Sequence, residues 1–158
     1  MKKRLPQAQP KGRSCGQCNE CCTALGVPEI QKTTFHTCSH VVEHKCDIYA
    51  NRPEVCRIYK CAWLQDVLPG PERPDRVGVV IDRTQSTLNL EKRIGAVVYT
   101  ARITRPGPDA DEVIRRLSVD NVVIIVDASD KRRIVGPPRV MPALQAIKQE
   151  GVNSLASK

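Results

Sequence analysis

Apolar and polar positions change period several times along this chain, and each change marks an element. Val77-Gly-Val-Val-Ile-Asp82 is rich in β-branched residues and Thr87-Leu-Asn-Leu-Glu91 alternates apolar with polar, which predicts a hairpin turned near residues 83–86. Residues 96–101 read as a third strand. Behind the capping pair Asp109 and Glu112, Ala110, Val113, Ile114 and Leu117 recur at i, i+3, i+4 and i+7, the signature of a short amphipathic helix. Val122-Val-Ile-Ile-Val126 is the most apolar strand, and Asp127-Ala-Ser-Asp130 turns it into Arg132-Arg-Ile-Val135. A last helix is expected from Met141 to Glu150, ending at Gly151.

Upstream the pattern is different. Asn51 and Glu54 can form a capping box, Pro53 fits a first turn, and Val55, Ile58, Tyr59 and Ala62 make a stripe, so a helix is expected over 52–64. Leu68-Pro-Gly-Pro-Glu-Arg-Pro74 cannot hold regular structure and reads as a connector. The domain organisation that follows is a basic tail over 1–13, a cysteine lobe over 14–66, and a scaffold over 67–158 packed on the lobe as one unit. The fold class is α+β: a small Cys-rich metal-binding lobe with short helices, then a small antiparallel or mixed sheet with two helices, expected on one face.

Composition sharpens the lobe. All eight cysteines lie between Cys15 and Cys61, and residues 14–66 hold only Phe35, Tyr49, Tyr59 and Trp63 as aromatics. A unit of that size with so few large side chains does not stabilise itself by burial alone and needs a cross-link or a metal. Residues 1–14 contain no apolar stretch of a secretory signal, and no run approaches transmembrane length. The expected location is therefore cytoplasmic, where clustered thiols stay reduced and bind metal rather than pair as disulfides.

Charge changes the picture less than its size implies. The formal net charge is +8, but Lys2, Lys3, Arg4, Lys11 and Arg13 supply five of it, leaving +3 for the rest (8 − 5 = 3). Two zinc ions bound by eight thiolates would bring +8 to about +4. Nucleic acid is not the expected partner, nor is a membrane. A protein redox or client partner is, with the chain acting as a monomer. The scaffold half has no phosphate-binding glycine loop and none of the histidines, so no chemistry is expected there.

The spacing of the thiols bears on the metal. Cys15, Cys18 and Cys21 stand three apart, and such a loop can wrap three irons of a cubane cluster while a remote cysteine takes the fourth; a single tetrahedral zinc more often takes two pairs. A [4Fe–4S] cluster is thus favoured, with zinc as the alternative. Ferredoxin runs continue with three residues and a Cys-Pro pair, whereas here Cys22 follows Cys21 at once. Consecutive side chains are expected to diverge, leaving Cys22 for a second site or as a spare thiol. With Cys38, Cys46, Cys56 and Cys61 the numbers allow one centre or two. On an unbroken helix Cys56 and Cys61 would stand roughly 140° apart, so the helix must fray if both face one metal. Arg52 and Arg57 could offset thiolate charge. His36, His40 and His44 recur every four residues, as on one helical face, without the H-E-x-x-H pattern of zinc enzymes. Trp63, Tyr49 and Tyr59 are expected to pack around the metal and exclude water.

The run Cys15-x2-Cys18-x2-Cys21-Cys22, followed by Cys46-Asp-Ile-Tyr49-Ala-Asn-Arg52-Pro53-Glu-Val-Cys56-Arg57-Ile-Tyr59-Lys-Cys61-Ala-Trp63, resembles the cysteine-cluster proteins of the YkgJ type, a zinc- or iron-chelating family. The likeness spans about residues 15–66 and continues more weakly through Arg73-Pro74-Asp75 and the strand at 77–82. It implies metal binding by Cys15, Cys18, Cys21, Cys22, Cys38, Cys46, Cys56 and Cys61, and no particular reaction. A similar cluster occurs in flagellin lysine-methylating enzymes, where it is taken to hold a [4Fe–4S] centre; those chains are much longer, and methyl transfer is not implied here. The functions expected are an iron-sulfur protein in electron transfer or redox response, a structural zinc adaptor, or an iron-sulfur enzyme with an open cluster site.

Overall fold

The structure is a computed structural model that describes residues 12–129 and 131–156, with 150–156 as backbone alone. Most of the tail expected over 1–13 lies outside the described residues. Arg13, placed in that tail by composition, is firmly held: its Nη1 donates to Trp63 O at 2.6 Å and Leu68 O at 2.7 Å, its Nε pairs with Asp66, and its guanidinium covers the Trp63 ring.

Short elements make up the cysteine region: α1 (Cys21–Ala24), the two-residue strands β1 (Val41–Val42) and β2 (Lys45–Cys46), and α2 (Glu54–Ile58). The strands β1 and β2 pair antiparallel around Glu43 and His44, both at positive φ (47° and 61°), the geometry of a tight primed hairpin turn. The helix expected over 52–64 is only five residues long. Pro53 caps it without a side-chain bond, so the Asn51–Glu54 capping box does not form, and Tyr59 is already extended. Tertiary bonding overrides the helical stripe here: the Ala62 N–H donates to Ile81 O at 2.7 Å, which pulls residues 59–62 onto the sheet edge.

The second half contains α3 (Pro74–Val77), β3 (Val79–Asp82), α4 (Gln85–Ile94), β4 (Val98–Ile103), α5 (Pro108–Leu117), β5 (Val122–Val126), β6 (Arg132–Val135) and α6 (Met141–Ala156). The four strands form one mixed sheet in sequence order, β3–β4 and β5–β6 antiparallel and β4–β5 parallel across α5. Six α-helices and two small sheets among the described residues make this an α+β fold.

Three expectations are corrected. Residues 87–91 are helical, not a strand: Thr84 and Thr87 cap each other reciprocally, Gly95 closes the helix in the left-handed region (φ 66°), and Thr87, Leu90 and Ile94 face inward at helical spacing. Five alternating residues fit either period, and the caps decide. Helices lie on both faces of the sheet rather than one. Tyr99, Ala101, Val123 and Ile125 pack with α5, while their strand neighbours Val98 and Val122 pack with α4 and α6, as alternation along a strand requires. Finally, α6 runs through Gly151 to Ala156; one glycine weakens a helix by about 1 kcal/mol without ending it.

The α5 side of the sheet also carries the cysteine region. Ala24, Cys61, Ala62, Trp63 and Leu68 share one apolar cluster with Val79, Val80 and Ile81, so the connector is covered by a core it helps to form, and it holds a 3-10 turn at Gly70–Glu72 and the start of α3 where no regular structure was expected.

Candidate metal centre

The opening cysteine run is shaped by backbone bonds. The Cys18 N–H donates to Cys15 O at 2.8 Å, closing a turn in which Gly16 sits at φ 55°, a conformation that disfavours a side chain. The next turn is α1, which carries Cys21 and Cys22, and the Cys38 N–H donates to Cys22 O at 3.0 Å, bringing that loop to the run. Cys46 enters from β2, Cys56 from α2, and Cys61 from the extended stretch after it. All eight are free thiols.

Every cysteine except Cys61 lines one cavity of about 300 Å³. Cys61 lines an adjoining cavity of about 290 Å³, whose wall also includes Cys15, Cys18, Cys21 and Cys56. The thiols ring this space. Among the described residues no three His, Cys, Asp or Glu side chains converge on a single-ion site.

Lys32 and Arg52 line the larger cavity, and Arg73 stands near Cys15. The Lys32 ammonium donates to the carbonyls of Thr23, Leu25 and Thr33, and burial pushes its pKa down against the pull of Cys38 and Cys22. Arg52 lies with its guanidinium 4.0 Å from the Tyr49 ring centroid, and its buried Nε has no hydrogen-bond partner. Arg73 grips Asp75 through two bonds of 2.6 and 2.8 Å. That hold keeps the Asp75 carboxyl below its usual range, with the nearby Cys18 thiol a lesser cause.

The protonation of the thiols follows from these neighbours. Burial raises Cys15, opposed chiefly by Arg52, and pushes Cys18 up to about 11, although the N–H groups of Glu20 and Asp75 are aimed at its sulfur. Burial also raises Cys56 and Cys61, and the N–H groups of Leu64 and Trp63 point at Cys61. Coupling between the neighbouring Cys21 and Cys22 thiols drives Cys21 far up and brings Cys22 down to about 7, with help from Lys32 and Arg52.

Several expected site residues take other roles. The three histidines do not share a helix: His36 bonds Thr33 and Thr34, His40 bonds Asp47 at 2.9 Å, and His44 sits in the β1–β2 turn. His40 and His44 do line the larger cavity. Trp63 lines neither cavity; it is buried in the core, with its Nε1 donating to Gly70 O at 2.9 Å. Tyr49 and Tyr59 line both cavities, although Tyr49 is 62% exposed. Arg57 reaches only the smaller cavity.

Lys32 and Asp75 were not singled out by sequence as site residues. Lys32 lies outside regular elements, held by an isolated bridge to Val27. For Asp75 the only signal was the Arg73-Pro74-Asp75 segment, which the fold folds back onto the Cys15–Cys18 loop.

The donor set fits a metal group. Eight soft thiol donors line two adjoining cavities, backbone N–H groups are aimed at two of the sulfurs, and a buried Arg52 N–H lacks a partner beside them. No helix among the described residues is long and apolar enough to cross a membrane. No family model, curated protein or solved structure matches the chain.

Proposed function

We propose that this chain is a cytoplasmic iron-sulfur protein in which Cys15, Cys18 and Cys21, with one distal cysteine, hold a [4Fe–4S] cluster, and that it serves electron transfer or redox response with a protein partner. The observation that carries the reading is the ring of seven cysteines around one cavity of about 300 Å³. A zinc ion draws its sulfurs to about 2.3 Å from one point, whereas a multi-atom core needs donors spread around a volume. When bound, such a cluster supplies one-electron chemistry.

The residues around it have definite tasks. Arg52 and Lys32 balance thiolate charge, and the N–H groups of Glu20, Asp75, Trp63 and Leu64 orient Cys18 and Cys61. Tyr59 and the apolar core beneath it keep water from the inner wall. Membership of the YkgJ-type cysteine-cluster proteins is proposed on the ordered match of the eight cysteines and the Tyr49 to Trp63 element.

Anaerobic purification with iron and sulfide analysis tests the reading. The expected result is a brown protein with equal iron and labile sulfide. A colourless protein with stoichiometric zinc and no sulfide after anaerobic reconstitution would sink it.

A further inference from the structure

The cysteines divide by where they stand. Cys22, Cys38 and Cys46 line only the larger cavity and Cys61 only the smaller one, while the others touch both. Backbone bonds follow the same division: Cys18 closes a turn onto Cys15, and Cys38 bonds directly to Cys22. Cys46 joins the latter pair through Val41, its strand partner, whose N–H donates to Cys38 O at 3.0 Å.

Two cysteines on the shared wall need assignment. Cys56 lines the cavity of Cys22, Cys38 and Cys46, which Cys61 does not, and Cys61 lines that of Cys15 and Cys18. Cys21 is the third member of the Cys15, Cys18 run and feels both. The eight thiols thus fall into two sets of four, the complement that either a cubane or a tetrahedral zinc requires.

Between the sets stands Arg52. It lines both cavities, acts on Cys15 and Cys22 alike, and keeps its Nε–H buried without an acceptor. A buried donor that lacks a partner in the metal-free chain points to an acceptor supplied on loading.

We propose that the chain builds two neighbouring four-thiolate metal centres, Cys15, Cys18, Cys21 and Cys61 in one and Cys22, Cys38, Cys46 and Cys56 in the other, with the Arg52 guanidinium between them. The proposal rests on the metal-binding reading above. The two sets meet at Cys21 and Cys22, so the centres are adjacent.

The test is made on the full chain, reconstituted anaerobically with iron and sulfide and, separately, with zinc. Native mass spectrometry of the unaltered chain is expected to show a half-loaded and a fully loaded species. Cys18→Ser and Cys61→Ser on one side, and Cys38→Ser and Cys46→Ser on the other, should each halve the bound metal. A single loading step in the unaltered chain overturns the proposal, whether or not a variant folds. So does a set whose two variants both keep the full metal content. If two zinc ions load and no cluster forms, the iron-sulfur reading falls and the two centres stand; if one cluster loads, the reverse holds.

Discussion

The Tyr59 hydroxyl donates to Asp82 Oδ2 at 2.8 Å, and this bond joins the wall of the thiol cavity to the first strand of the sheet. Asp82 is 1% exposed, shares the same oxygen with Arg102, and leaves Oδ1 without a hydrogen-bond partner. Tyr59→Phe should therefore cost about 1–2 kcal/mol, the cost of removing one donor from a buried acceptor. Arg102→Met should cost more, about 3 kcal/mol, because it strands a buried carboxylate. Urea unfolding of both variants checks the order, and an equal or reversed loss would count against the network.

Arg52→Gln tests charge compensation at the proposed cluster. Removing a cation disfavours the more negative, reduced state, so the reduction potential should fall by roughly tens of millivolts, with Arg52→Lys falling less. Titration of the reconstituted protein reads this directly. An unchanged potential in Arg52→Gln would show that the guanidinium does not sense the metal.

The metal-free chain should lose stability in alkali. Cys18 is raised from its ordinary value of 9.0 to about 11, and burial raises Tyr59 well above 10.0. Groups that bind protons more tightly when folded contribute stability below their unfolded values and lose it as pH climbs through the folded ones. Unfolding in reductant between pH 8 and about 11 should show this decline. Cys18 ceases to contribute once loaded, because a ligating thiol is already deprotonated.

Gly78 sits at φ 76° between α3 and β3, and a Cβ there would clash with Arg105 O. Gly78→Ala should destabilise by about 1–3 kcal/mol through backbone strain and the close approach. Its carbonyl accepts from both Thr104 and Arg105 N–H groups, so the end of β4 should lose amide-exchange protection first.

Legibility in the sequence followed the range of the forces involved. The helix at 108–117 was readable from its sustained period, although Gly107 stands at its N-cap and the expected Asp109–Glu112 cap does not form, and the strand at 122–126 from its unbroken apolar run. Residues 87–91 mislead because five alternating residues fit two periods, and the Thr84–Thr87 caps that decide between them lie at the edge of that pattern. The helix expected over 52–64 failed for the opposite reason: its stripe is sound, but a bond from Ala62 to Ile81 lies 19 residues away and local pattern cannot foresee it. Thiol spacing pointed to the cysteines that line the cavities, whereas Lys32 reaches the larger one and Asp75 approaches Cys18 through backbone turns that leave no periodic trace.

The bond between Ala62 and Ile81 also sets an order of events during synthesis. Chains emerge N-terminus first, so all eight cysteines leave the ribosome before β3 and β4 exist. Until then the cavity lacks the support beneath Tyr59 and Cys61, and early thiols are open to any passing metal or oxidant. On the proposed metal-binding reading, faithful loading would wait for the strands that follow, which would make the scaffold half a timing element for the cysteine half.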